Sequence, residues 1–132
     1  MKYIDVAVGV IYRNRHFFIC KRNAEQHQGN KWEFPGGKVD AGESPEQALQ
    51  RELEEEVAIQ TTDFETLINL EFEYPDKQVR LHVFLVKDFN GTAKGAEGQE
   101  AGWVSAEHLA NYDFPEANVL ILDKLREVNL ID

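Results

Sequence analysis

GGKVDAGESPEQALQRELEEEVAI, residues 36–59, is the stretch on which the reading of the chain turns. Its middle is built to start a helix. Ser44 can cap free backbone donors, Pro45 sits where its missing N–H costs nothing, and Gln47 completes an S-x-x-Q capping box. The spacing predicts a helix over residues 45–57, with Leu49, Leu53 and Val57 on one stripe facing a core. Glu52 and Glu56 lie one turn apart with Glu55 beside them, along one edge of that stripe, and Glu54 projects toward solvent. The far end is the anomaly. Each carboxylate there opposes the helix dipole at a cost of about 0.3–1 kcal/mol, and like charges four residues apart add about 0.2–0.5 kcal/mol. Arg51 offsets only part of this. A hard divalent cation would offset most of it, because Mg2+ prefers carboxylate oxygens and bridges to phosphates. An acidic helix end can equally be a solvated face. The Gly36-Gly37 approach and the carboxylates' place beside the apolar stripe tip the reading toward metal.

With 132 residues, 42% of them hydrophobic and 29% charged, the chain is expected to form one domain over residues 1–132, with a core that needs no staple. The formal net charge of −10 argues against nucleic acid polymers, which need a basic surface. It would also repel a free nucleotide, but a nucleotide chelated to metal is a different ligand, since the metal cancels charge on both sides. The longest apolar run, residues 6–11, is too short to span a membrane, and Asp5 interrupts any signal-like start. A cytoplasmic monomer is the default expectation. Cys20, the only cysteine, follows the strand-like HFFI and reads as a packing residue.

Ile4, Val6, Val8 and Val10 alternate as in a strand, and Arg13-Asn14-Arg15 turns the chain into a second strand over residues 16–21. A polar loop over residues 23–31 leads through the extended WEFP to Gly36-Gly37. Residues 67–74 and 78–87 read as strands joined at Pro75-Asp76-Lys77. A Gly-rich loop, residues 91–102, precedes a short strand at Trp103-Val104, and residues 105–108 open a helical turn. Pro115 starts a last helix with Val119, Leu122 and Leu125 at helical spacing. Strands outnumber helices, and the two helices lie far apart, which suggests an α/β fold with a mixed sheet between helices.

The acidic segment resembles the Nudix box, G-x5-E-x7-R-E-U-x-E-E-x-G-U with U aliphatic, over residues 37–59. Here it reads Gly37, Glu43, Arg51, Glu52, Leu53, Glu55, Glu56, Ala58, Ile59. Ala58 stands where the pattern has glycine, a residue that serves the left-handed turn after the helix. The resemblance implies the Nudix fold, an α/β/α sandwich. It extends to IDVAVGVIY, KWEFPGGK, YPDKQVRLHVFLV, GAEGQE with Trp103, and FPEAN. These are similar to the branch that hydrolyses oxidised guanine nucleoside triphosphates to the monophosphate and pyrophosphate.

By that resemblance Glu52, Glu55, Glu56 and Glu97, with the Gly36 carbonyl, hold Mg2+, for which Mn2+ can substitute. Arg51 and Glu43 orient the glutamates, and Glu52 or Glu97 is the base that takes a proton from water attacking the β-phosphorus. The partner is then a nucleoside triphosphate with its divalent metal. Arg22 and His27 resemble residues lining the nucleotide and its phosphates, though each could be an exposed loop side chain. Phe34 supplies a plane beside the base or is simply core. Asn118 can both donate and accept, so it can read O6 together with the N7–H that oxidation at C8 creates on guanine. On the residues alone it caps or interrupts the last helix. Ile4, Val6, Tyr74, Val79 and Leu81 are candidate pocket walls that would serve equally as core. Two other readings remain: a related hydrolase of CTP or 5-methyl-dCTP, and a Nudix module that binds nucleotides without hydrolysis, toward which only Ala58 points. A Ca2+-binding reading lacks an EF-hand loop, and Gly36-Gly37-Lys38 lacks the spacing of a P-loop.

Overall fold

A computed structural model describes residues 2–25 and 29–132. The helix expected at 45–57 is α1 (Pro45–Val57), and its start has the full capping box. The Ser44 side chain accepts from Gln47 N–H, and the Gln47 side chain accepts from Ser44 N–H. The strands are β1 (Tyr3–Arg13), β2 (His16–Lys21), β3 (Trp32–Glu33), β4 (Gly36–Lys38), β5 (Gln60–Tyr74), β6 (Lys77–Asn90) and β7 (Ala101–Ser105), and the last helix is α2 (Glu116–Glu127). They form one mixed sheet in the order β3-β2-β1-β6-β5, with β4 added to β1 and β7 to β2. Only β1 and β6 run parallel among these pairs, from Tyr3 opposite Gln78 to Ile11 opposite Val86.

Alternation along β1 sorts its side chains to two cores. Ala7 and Ile11 join Leu49, Leu53 and Val57 of α1, with Phe18, Cys20, Phe84 and Val86. Val8 and Val10 face the other way, with Leu81 and Val83, toward Ile121, Leu122 and Leu125 of α2. The sheet therefore lies between the two helices, as expected. Cys20 is fully buried, and burial pushes its thiol well above the ordinary range, which suits a packing residue and not a nucleophile.

Several boundaries differ from the sequence reading. Gly36-Gly37 was expected as an approach to the helix but lies in β4, paired with Ala7 and Val8 of β1. The two hairpin strands run well beyond residues 67–74 and 78–87. The first half of β5 is polar, carries bulges between Thr61 and Ile68, and has no clean alternation to announce it. The helical turn after Ser105 settles as a 3-10 turn at Leu109–Asn111. In α2 the buried residues are Ala117, Ile121, Leu122 and Leu125, and Val119 is 42% exposed. The start of this face meets Tyr74, whose hydroxyl accepts from Ala117 N–H at 3.0 Å. Among the described residues no helix is long and apolar enough to cross a membrane.

Candidate active site

The α2 face of the sheet opens into a cleft of about 380 Å³. One end is apolar: Ile4, Val6 and Val8 of β1, Val79 and Leu81 of β6, Tyr74, and Phe34, which stacks on Phe114 with centroids 5.3 Å apart. Asn118 closes this end. It lies inside the first turn of α2, where it neither caps nor interrupts the helix, and its Oδ1 accepts from Phe34 N–H at 3.3 Å. The opposite end is acidic, lined by Glu52, Glu56 and Glu97 beside Gly36 and Gly37. Arg22, Lys77, Lys38 and Glu33 lie along the same cleft. A second cavity, about 520 Å³, continues from it past Arg22, Glu33, Glu56 and Glu97 toward Lys21 and Gln99.

The strand β4 explains how carboxylates from α1 reach this cleft. The Gly9 N–H donates to the Pro35 carbonyl at 2.8 Å and the Val39 N–H to the Asp5 carbonyl at 3.0 Å. By the alternation of an antiparallel ladder, the amide and carbonyl of Gly36 then point away from β1. The Gly36 N–H goes to Glu56 Oε2 at 3.2 Å, and its carbonyl is directed outward with it. A Cβ at Gly37 would lie 2.3 Å from the Glu52 carboxyl carbon, so only glycine leaves that carboxylate its place.

Arg51 organises the acids from behind. Its Nε and Nη2 donate to Glu43 at 2.7 and 2.9 Å, its Nη1 to Glu52 at 2.8 Å and Glu55 at 3.5 Å, and its Nη2 to the Lys38 carbonyl at 3.1 Å. The guanidinium, together with the Asp40 N–H, holds the Glu43 carboxyl down at about 2. Arg51 thus relieves more of the helix's charge than its place in the sequence suggests. Among the described residues Glu56 has no such cationic partner. Burial, then the neighbouring Glu33 carboxylate and more weakly Glu52 and Glu97, push its carboxyl up to about 8 against the pull of the Gly36 N–H. Burial also raises Glu33, opposed by the guanidinium of Arg22, with which it is paired. Burial and the charge on Arg22 lower the ammonium of Lys77.

The cleft therefore gathers Arg22, Phe34, Gly36, Glu52, Tyr74, Val79, Leu81, Glu56, Glu97 and Asn118 from the sequence-predicted set. Glu43 and Arg51 stand behind it, and Glu55 is largely exposed on Arg51's outer side. His27 lies outside the described residues. Among those residues no three acidic, histidine or cysteine side chains converge on one metal position. The donor set still suits a hard cation: buried Glu56, Glu52 seated against Gly37, Glu97 in the same lining, and an outward backbone carbonyl, all oxygen. Sequence reasoning missed Glu33, Lys77 and Lys38. WEFP looked like a plain extended segment, and the two lysines look solvated until the sheet brings them together.

An apolar slot that can take a flat base, joined to an acidic end that can take metal-chelated phosphates, is the layout of a nucleotide-phosphate hydrolase. The NUDIX domain pattern matches residues 3–125. The chain is 44% identical over 129 residues to the 8-oxo-dGTP diphosphatase of Escherichia coli, covering 97% of this chain and 100% of that one. It is 37% identical over 123 residues to the CTP pyrophosphohydrolase of the same organism, covering 93% and 91%. A MutT structure from a study of the Aliivibrio salmonicida and Vibrio cholerae proteins matches with a TM-score of 0.82 at 42% identity, over 94% of this chain and 97% of that one. The chain belongs to the Nudix family, and its mixed sheet between two helices is the Nudix fold.

Proposed function

We propose that this protein hydrolyses 8-oxo-dGTP and 8-oxo-GTP to the monophosphate and pyrophosphate, removing oxidised guanine from the nucleotide pool. The observation that carries the base assignment is the hydrogen bond from Phe34 N–H to Asn118 Oδ1. Phe34 N–H can only donate, so it fixes which end of the amide is oxygen. Nδ2 is then free to donate to O6, and the second lone pair of Oδ1 can accept the N7–H of the oxidised base. Unmodified guanine has an acceptor at N7. Turning the amide to suit it would strip the buried Phe34 N–H of its acceptor, and unpaired buried groups are how a site rejects an analogue.

For the chemistry, the residues that would hold Mg2+, or Mn2+ in its place, are Glu52, Glu56 and Glu97 with the Gly36 carbonyl; Glu55, expected among them from the sequence, is turned outward to Arg51 and stands outside this set. Such an ion supplies phosphate charge neutralisation and acidifies the attacking water. Arg51 and Glu43 keep the Glu52 carboxylate aimed at the cleft. Glu52 or Glu97 accepts the proton as water attacks the β-phosphorus, and the bond to the oxygen bridging the α- and β-phosphorus breaks. Arg22 and Lys77 line the same cleft, where their charges can meet the phosphates.

The 37% identity to a CTP pyrophosphohydrolase keeps a cytosine reading in play, since a cytosine edge also offers a donor and an acceptor. Pyrophosphate release from 8-oxo-dGTP, dGTP, CTP and 5-methyl-dCTP, at concentrations that report kcat/KM, decides between them. Preference for the oxidised guanine, abolished by a chelator, is the expected result. Preference for the cytosine nucleotides moves the assignment, and silence on all four returns the chain to a binding module.

A further inference from the structure

The loop between β6 and β7 is fastened to the C-terminal end of α1 through carbonyls that a helix end leaves without intrahelical partners. Lys94 N–H donates to the Val57 carbonyl at 3.1 Å and Ala96 N–H to the Glu56 carbonyl at 3.0 Å. A third donor reaches the Glu56 carbonyl from a side chain, Gln99 Nε2, also at 3.0 Å. The other end of the same amide, Gln99 Oε1, accepts from Glu97 N–H at 2.9 Å. One side chain thus ties the backbone of Glu56 to the backbone of Glu97. Gln99 is half-buried, with its Nε2 4.0 Å from Cys20 Sγ at the edge of the core. The turn around it is tight: Gly98 N–H donates to the Gly95 carbonyl at 3.1 Å, and a Cβ at Gly95 would lie 2.1 Å from the Gln99 carbonyl oxygen.

Glu97 is itself exposed and sits on a loop, so it lacks the enforced placement that α1 gives Glu52 and Glu56. A site on a loop is loose unless neighbouring residues lock it. We propose that Gln99 is a positioning residue, a clamp that sets Glu97 at a fixed reach from Glu56 so that both carboxylates bound the same end of the cleft. This rests on the hydrolase reading above. Gln99 acts through Glu97, whose N–H its side chain holds.

The test is a double-mutant cycle with Gln99→Met, which keeps the stem and deletes both hydrogen bonds, and Glu97→Gln. With 8-oxo-dGTP and Mg2+, Gln99→Met is expected to lower kcat about 10- to 100-fold with little change in KM. In the Glu97→Gln background it should lower kcat less than about twofold further, because the clamp has lost what it positions. Equal losses in both backgrounds, or a wild-type kcat for Gln99→Met, would overturn the clamp. Two readouts do not depend on turnover. Exchange of the Glu97 amide hydrogen should accelerate in Gln99→Met, and Mn2+ affinity should weaken about tenfold. Failure of the wild-type protein to release pyrophosphate defeats the hydrolase reading alone, and the Mn2+ titration still decides the clamp, unchanged affinity counting against it. Should Gln99→Met unfold, Gln99→Glu keeps the acceptor for Glu97 N–H, removes the donor to Glu56, and enters the same cycle.

Discussion

At its N-terminal end α1 has what a helix start can use: a capping box, a proline in the first turn and Glu46 at the positive end of the dipole. At its C-terminal end it has no basic residue in the last turn, buried Glu56, and Ala58 forced into the left-handed conformation at φ 63°. The carbonyls there are occupied by a loop from another part of the chain. One end is settled locally and favours stability. The other is strained, charged and dependent on long-range contacts, the pattern expected where a site is built at the expense of the fold. Substitutions at the two ends should therefore have different consequences.

The largest effect is expected at the acidic end. Glu52→Gln should lower kcat for pyrophosphate release by about 10²- to 10⁴-fold if Glu52 is the base, with an unaltered circular dichroism spectrum. A rate near wild type would shift the role to Glu97. Next comes the apolar end of the cleft. Asn118→Ala should reduce kcat/KM for 8-oxo-dGTP about tenfold more than for dGTP, and equal losses would undo the base-reading argument.

Acid titration probes the link between the two ends of α1, since Glu43 precedes the capping box and bonds Arg51 on the helix. The guanidinium holds Glu43 at about 2 in the folded chain, below its ordinary value of about 4.3. Its contribution to stability is therefore complete above about pH 4.3 and is lost as pH falls through about 2. The difference in denaturant midpoint between wild type and Glu43→Gln should shrink across that window, and a constant difference would contradict the pairing. The smallest effects are local. Ser44→Ala should cost about 1 kcal/mol, and Ala58→Gly should gain about 0.5–1 kcal/mol by relieving the left-handed alanine, both read by chemical denaturation.

These two ends also differed in how much of them could be read from sequence. Ser44, Pro45 and Gln47 act within one turn, so their pattern states their geometry. The spacing of Glu52, Glu55 and Glu56 announced an acidic edge, but not that Glu55 would lie outside the cleft while Glu56 became buried. That follows from β4 crossing the helix, and β4 is three residues without a strand-like pattern. Glu33, Lys77 and Gln99 were illegible because a deciding neighbour of each lies far along the chain, Arg22 for Glu33 and Lys77 and the Glu56 carbonyl for Gln99. Val119 shows the limit of periodicity. Helical spacing gives a stripe but not its rotation: the buried face takes in Ala117 and Ile121 and leaves Val119 exposed.

On the proposed function, the C-terminal glutamates of α1 are tolerated because the working protein holds a divalent ion against them. The direct measurement is thermal unfolding at pH 8 of wild type and Glu56→Gln, each with Mg2+ and with a chelator. Burial already raises the Glu56 carboxyl to about 8 without metal, so removing its charge should raise the chelated midpoint or leave it unchanged. Mg2+ should raise the wild-type midpoint and leave that of Glu56→Gln nearly unmoved. An equal Mg2+ response in both proteins, or none in the wild type, would contradict the account.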